Sequence, residues 1–347
     1  MELPQIDFSN LTVKDSNTTL FIIGNGFDLA HGVPSRYVNF RDNLRPLSRL
    51  RQMLETYVAK DELWSDFEDS LAYLNRGAIM DQIDFSLDMF VDDDGDIDED
   101  DISAASIACA VEVAAAPIRI IQEDLQNEFR KWIDTLEVES NKKPFKKLIH
   151  GKGLYINFNY TEFLETVYNV PKENILYIHG NRNDKCSELI LGHGHNSNEL
   201  KEEWIENNRK KYEESKKMYN EFSSSYRAYF LENIREGQWR GQYHYNAVQL
   251  LDDQIDDYFK LSQKKTKTII EINKPFFASL GEIKEIVCVG HSFASVDEDY
   301  FRIIKECIPS NKVYWYLSWH TESDLTRINA FVKKLALNTS NVKVFKI

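Results

Sequence analysis

Four short clusters in this 347-residue chain combine residue types that do chemistry, and each follows directly on an apolar run. The first is Gly24-Asn25-Gly26, which opens the run GNGFDLAHG. Bare backbone N–H groups between a strand and a helix favour a bound phosphate. The second is Asn157-Phe158-Asn159-Tyr160-Thr161, the third His179-Gly180, and the fourth Gly290-His291-Ser292. An amide at a strand end orients a water or a sugar hydroxyl, while an imidazole titrating near neutrality accepts a proton. Four polar or glycine-rich turns on successive strand ends point to a nucleotide pocket.

Two familiar phosphate-binding patterns do not fit. The third glycine of GxGxxG is Leu29 here, and the run lacks the GK[ST] of a P-loop. A competing constellation is His179 with His193 and His195, since imidazoles spaced as HxH can share a metal. No Asp/Glu cluster repeats nearby at metal-ligand spacing, so no metal is expected; a metal-dependent phosphodiesterase or nuclease stays as an alternative.

These residues need a scaffold. Residues 20–23 (LFII), 154–158 (LYINF), 175–178 (ILYI), 286–289 (IVCV), 313–317 (VYWYL) and 342–345 (VKVF) read as strands, the first stopping at Gly24 like a buried parallel strand. A short helix near 162–168 makes a βαβ unit of the second and third. Apolar residues at three- to four-residue spacing predict a helix over 41–74, two more helices fill 103–137, and 199–235 reads as a long charged helix. Strands alternating with helices imply an α/β fold with a mostly parallel sheet, one domain over 1–347 with helical insertions near 41–140 and 199–262.

The acidic run at 92–101 (DDDGDIDEDD) reads as a solvated loop. With 42 Lys+Arg against 56 Asp+Glu, the net charge of -14 repels nucleic acid and anionic membrane. The stretch 199–221 carries six Lys/Arg and seven Glu, a charge-mixed solvated face that suits a lid or an interaction surface rather than a basic stripe. Four cysteines without a CxxC pair, and an N-terminus MELPQIDFSN without a signal-peptide core, lead us to expect a cytoplasmic protein. Residues 102–121 approach the length of a membrane span, yet they contain Glu112, Pro117 and Arg119, which favours a buried helix or a subunit contact in a homo-oligomer.

The blocks LFIIGNGFDLAHGVP, INFNYTEFLETVY, ILYIHG, ILGHGHN and VCVGHSFASVDEDYF resemble the AbiH family of bacterial abortive-infection proteins, from about residue 20 to 305. More distantly they resemble the NAD-binding sirtuin fold. That likeness implies a phosphate-loop role for Gly24 and Gly26, with Gly32-Val33-Pro34 as a later part of the loop. It implies that Asn159 and His179 are catalytic, and that Gly290 and Ser292 form a ribose-binding turn. With Asn25, Phe27, Asp28, Asn157, Thr161, Gly180, His193 and His291, these complete the expected nucleotide contacts. Thr161 stands where sirtuins carry an acid, and the four-Cys zinc module is missing, which argues against protein deacylation. The function implied is antiphage hydrolysis of NAD or NADP by water, held silent until a phage-derived trigger arrives. Because no acid is available to orient the ribose, a non-catalytic sensor of NAD or ADP-ribose is the alternative.

Overall fold

The computed structural model describes residues 3–87, 103–139, 142–149, 151–186, 188–218, 229–230, 239–308 and 313–347. The acidic run at 92–101 and most of the 219–235 part of the charged helix lie outside the described residues. Seven strands, β1 (Gln5–Ile6), β2 (Thr19–Ile23), β3 (Leu154–Asn157), β4 (Ile175–Tyr177), β5 (Glu285–Val289), β6 (Tyr314–Trp319) and β7 (Val342–Lys346), form one sheet. Every neighbouring pair is parallel, in the order β1-β7-β6-β5-β2-β3-β4. All five residues of β2 and all five of β5 are buried, which is why their sequences are continuously apolar rather than alternating.

From β2 the chain steps outward through β3 to β4, then returns to lay β5 beside β2 and steps out the other way through β6 to β7. This reversal is a topological switch point, and open α/β sheets form their ligand crevices outside the strand carboxyl ends there. The fold is α/β with a Rossmann-like core. One face of the sheet, carrying Leu20, Ile22, Ile156, Ile286 and Cys288, packs on Tyr300, Phe301 and Ile304 of the helix Glu298–Cys307. On the other face, Phe21 stacks on Tyr155 with ring centroids 4.8 Å apart.

Two compact units make up the chain. The sheet belongs to the unit of Met1–Asn43, Glu128–Leu191 and Lys264–Ile347, and the second unit comprises Leu44–Asn127 and Gly192–Gln263. In the second unit the helices Arg76–Leu87, Ala104–Ala114 and Trp239–Ser262 bury Ile79, Ile83, Val111, Val248, Leu251 and Ile255. The single helix expected over 41–74 is instead several short elements, including Tyr37–Asn43, Arg49–Tyr57 and Phe67–Ser70. Pro46 has no N–H to give to a helix and separates the first two. Val58 and Leu74 then pair as an antiparallel bridge, which no single helix running through both could make. Leu47, which the apolar spacing had counted toward the core, is 84% exposed.

Among the described residues no single helix is long and apolar enough to cross a membrane. The helices Ala104–Ala114 and Ala116–Thr135 meet that test only together, and they are bent by 51°. Pro117 explains the break, since a proline fits the first turn of a helix but not its interior.

The second unit also buries charge. The Arg76 guanidinium bonds to Asp252 and, at 2.5 Å, to Asp256, and Lys201 reaches both carboxylates, lying 2.8 Å from Asp252. The guanidinium also lies over the rings of Trp204 and Phe259. Arg76→Ala strands two carboxylates beside one cation, so the variant is expected to lose about 3 to 5 kcal/mol of stability. Thermal unfolding of the purified variant measures this, and an unchanged melting temperature contradicts it.

Candidate functional site

The end of β2 and the end of β5 meet through backbone alone. Gly24 donates its N–H to the carbonyl of Val289 at 3.0 Å, and Gly26 donates to the carbonyl of Gly290 at 2.8 Å. A Cβ on Gly24 would fall 2.6 Å from the His291 Cα, and one on Gly26 would fall 2.6 Å from the Gly290 Cα. Gly290 has φ +69, which also favours glycine. Close packing of the two turns therefore accounts for all three glycines, and the Gly26 amide is already committed to a protein carbonyl. The Ser318 hydroxyl, buried at the end of β6, accepts from the Gly290 N–H at 2.7 Å. Asn25, which follows Gly24, is exposed; its amide donates to the Ser35 carbonyl at 2.9 Å and accepts from the Ser35 hydroxyl.

One turn into the helix Asn25–Ala30, the Asp28 side chain is 1% exposed. Its Oδ1 accepts from the Asn159 Nδ2 at 2.6 Å, and its Oδ2 accepts from the Thr161 hydroxyl at 2.6 Å. The Asn159 Nδ2 also donates to the Gly24 carbonyl at 3.1 Å. Asn157 holds the turn that carries these groups, accepting from the Asn159 N–H at 3.0 Å and donating to the Thr161 carbonyl at 3.3 Å. Burial pushes the Asp28 carboxyl up to about 7, against the lowering pull of the Thr161 and Asn159 bonds. Folding thus sets a buried carboxyl against both the Asn159 amide and the Thr161 hydroxyl.

A second buried group forms around Asp297. Its Oδ1 lies 3.3 Å from the Lys264 Nζ and 3.5 Å from the His179 Nε2, and its Oδ2 lies 3.5 Å from the His291 Nε2. Burial opposes the Asp297 charge, yet Lys264 and the two histidines outweigh it and hold the carboxyl below the usual range. Burial pushes His291 down to about 4, so it is neutral near pH 7. Its Nδ1 accepts from the Phe293 N–H at 2.9 Å, which puts the proton on Nε2, facing Asp297. The Phe158 ring packs edge-on against both His179 and His291, with centroids 5.2 and 4.4 Å away. Gly180, with φ +87, turns the chain away behind His179.

The predicted residues therefore assemble unequally. Asp28, Asn157, Asn159 and Thr161 form one hydrogen-bonded group, and His179 and His291 belong to the other. Ser292 is exposed beside it. Phe27 packs in an aromatic cluster with Phe145 and Phe163. Gly32 and Pro34 line a cleft of about 480 Å³ whose rim also carries Glu137 and Glu139, carboxylates that suit a cation better than a phosphate. His193 belongs to the helical unit, where it is fully buried near His195, and His195 pairs with Asp69 at 2.6 Å. Among the described residues no three His, Cys, Asp or Glu side chains are placed to hold a metal. Sequence reasoning missed Lys264 and Asp297. Asp297 offered a faint signal, an acid shortly after a strand-terminal Gly-His; Lys264, inside the run KK, offered none.

Asp28 yields a measurable consequence. Its carboxyl rises on folding from 3.8 to about 7, so the folded protein holds the proton more tightly than the unfolded chain, and stability is lost as pH climbs through that window. At 1.36 kcal/mol per pH unit the cost is on the order of 4 kcal/mol above pH 7. Asp28→Asn escapes it. The variant is expected to melt several degrees above the parent protein at pH 8, with the margin shrinking at pH 5; an equal margin at both contradicts the raised carboxyl.

The model of the family described as bacteriophage abortive infection AbiH matches residues 20–319. No curated protein and no solved structure matches the chain. The family match spans β2 to β6 and with them both buried polar groups, so this chain belongs to the AbiH family of bacteriophage abortive-infection proteins.

Proposed function

We propose that this AbiH protein acts in phage abortive infection by hydrolysing NAD or NADP to nicotinamide and ADP-ribose or its phosphate, so depleting the infected cell. One observation carries the reading. Asn159 and His179 follow the neighbouring strands β3 and β4, beside the switch point, and each is buried facing a carboxyl, Asp28 for Asn159 and Asp297 for His179. A buried amide and a buried imidazole, each set against an acid, can position a water and take its proton.

In this reaction the bond from the ribose anomeric carbon to the nicotinamide nitrogen breaks, and its electron pair leaves with the ring, which becomes neutral. The water oxygen bonds to the anomeric carbon, and its proton passes to His179 and on to solvent. Asn159 orients the water, and Asp297 steadies the imidazole. Such hydrogen bonds are often long before substrate arrives, as the 3.5 Å from His179 to Asp297 is. The Gly24–Gly26 turn would flank the dinucleotide. The same reading has the protein act in the cytoplasm as a homo-oligomer, silent until a phage-derived trigger releases it.

Nicotinamide release from NAD and NADP by the purified protein tests this, with and without extract of phage-infected cells. His179→Ala and Asn159→Ala are each expected to lower the rate by about 100-fold or more while the fold persists. Full activity in His179→Ala contradicts the assignment. No release, with NAD still raising the melting temperature, would turn the reading to a sensor.

A further inference from the structure

The hydrolysis scheme gives Asp28 no step of its own, yet its buried carboxyl makes two contacts of 2.6 Å, one to Asn159 and one to Thr161. We propose that Asp28 is a positioning residue, whose carboxylate turns the Asn159 side chain so that its amide oxygen, not its nitrogen, faces the reacting water. The inference rests on the hydrolase reading and deepens it.

The hydrogen-bond inventory leads to this directly. The Asn159 Nδ2 has two hydrogens, and both are committed, one to the Asp28 Oδ1 at 2.6 Å and one to the Gly24 carbonyl at 3.1 Å. The amide oxygen is then the group left to receive a hydrogen from water. With the opposite rotamer the oxygen would face two acceptors, a carboxylate and a carbonyl, and the side chain would lose both bonds. The second carboxylate oxygen holds the Thr161 hydroxyl at 2.6 Å, so amide and hydroxyl are fixed by one acid.

A proton on the Asp28 carboxyl leaves this arrangement standing: held on Oδ2 it is donated to the Thr161 hydroxyl, and Oδ1 still accepts from the Asn159 Nδ2. The charged groups that act on Asp28 are Arg182 and Glu162, and these are paired with each other at 2.6 Å.

The experiment measures kcat and KM for nicotinamide release from NAD between pH 5.5 and 8.5. Alongside it, the side-chain amide resonances of Asn159, identified by their loss in Asn159→Asp, are followed over the same range. Asp28→Ala should lose kcat by about 100-fold or more with KM within a few-fold, the split expected when orientation rather than binding is lost. Asp28→Asn can accept from Asn159 and donate to Thr161, so it should recover much of the rate lost in Asp28→Ala. An undiminished kcat in Asp28→Ala, or no recovery in Asp28→Asn, overturns the proposal. The resonances need no turnover. They should shift in Asp28→Ala and hold their place in Asp28→Asn; resonances unchanged in Asp28→Ala overturn the positioning role. Resonances that shift in this way in a protein that releases no nicotinamide would sink the hydrolase reading and leave the coupling of Asp28 to Asn159 standing.

Discussion

The backbone contact between the turn after β2 and the turn after β5 is the constraint from which the site follows. Gly24 and Gly26 lie so close to Gly290 and His291 that no side chain fits between them. That approach sets the start of the helix Asn25–Ala30, and the helix carries Asp28 over the end of β3. It also sets the direction in which the chain leaves β5, which brings His291 and then Asp297 toward the end of β4. Both polar groups are thus reached from a single junction, at the point where the order of strands reverses.

Two carboxyls at this junction meet opposite fates for physical reasons. Asp28 and Asp297 are both buried, and burial alone would neutralise both. Asp297 keeps its charge because a lysine and two imidazoles surround it. Asp28 has only an amide and a hydroxyl as direct partners; these stabilise its charge without neutralising it, and it settles near neutrality. Environments that separate two acids in this way commonly divide labour between them, one fixed as a counter-ion and one able to exchange a proton. Here the fixed charge faces the imidazole and the exchangeable one faces the amide.

Much of this was legible in the sequence, and the gaps have causes. The six longer strands announce themselves as apolar runs that end in glycine or polar turns, and that punctuation located the candidate site. β1 is two residues long, held only by pairing Gln5 with Val344 and Ile6 with Phe345, so it carries no pattern to read. The 41–74 segment looked like one helix because separate short elements each keep a three- to four-residue spacing across Pro46. Asp28 was visible in its motif, but its bond to Thr161 spans 133 residues, and only folding brings the two strand ends together. Lys264 was invisible for the same reason: a lysine in a basic pair looks solvated until its partner Asp297, 33 residues on, is buried against it. The glycines were read for a phosphate, whereas close packing of two turns also demands them.

The most direct test of the central claim is a crystal structure of Asn159→Ala with NAD, since a slowed variant leaves the dinucleotide intact. The account predicts NAD at the carboxyl ends of β2, β3 and β4, with the nicotinamide-bearing carbon beside position 159 and within reach of His179. NAD bound instead in the cleft between Gly32 and Glu137, with the switch point untouched, would contradict it.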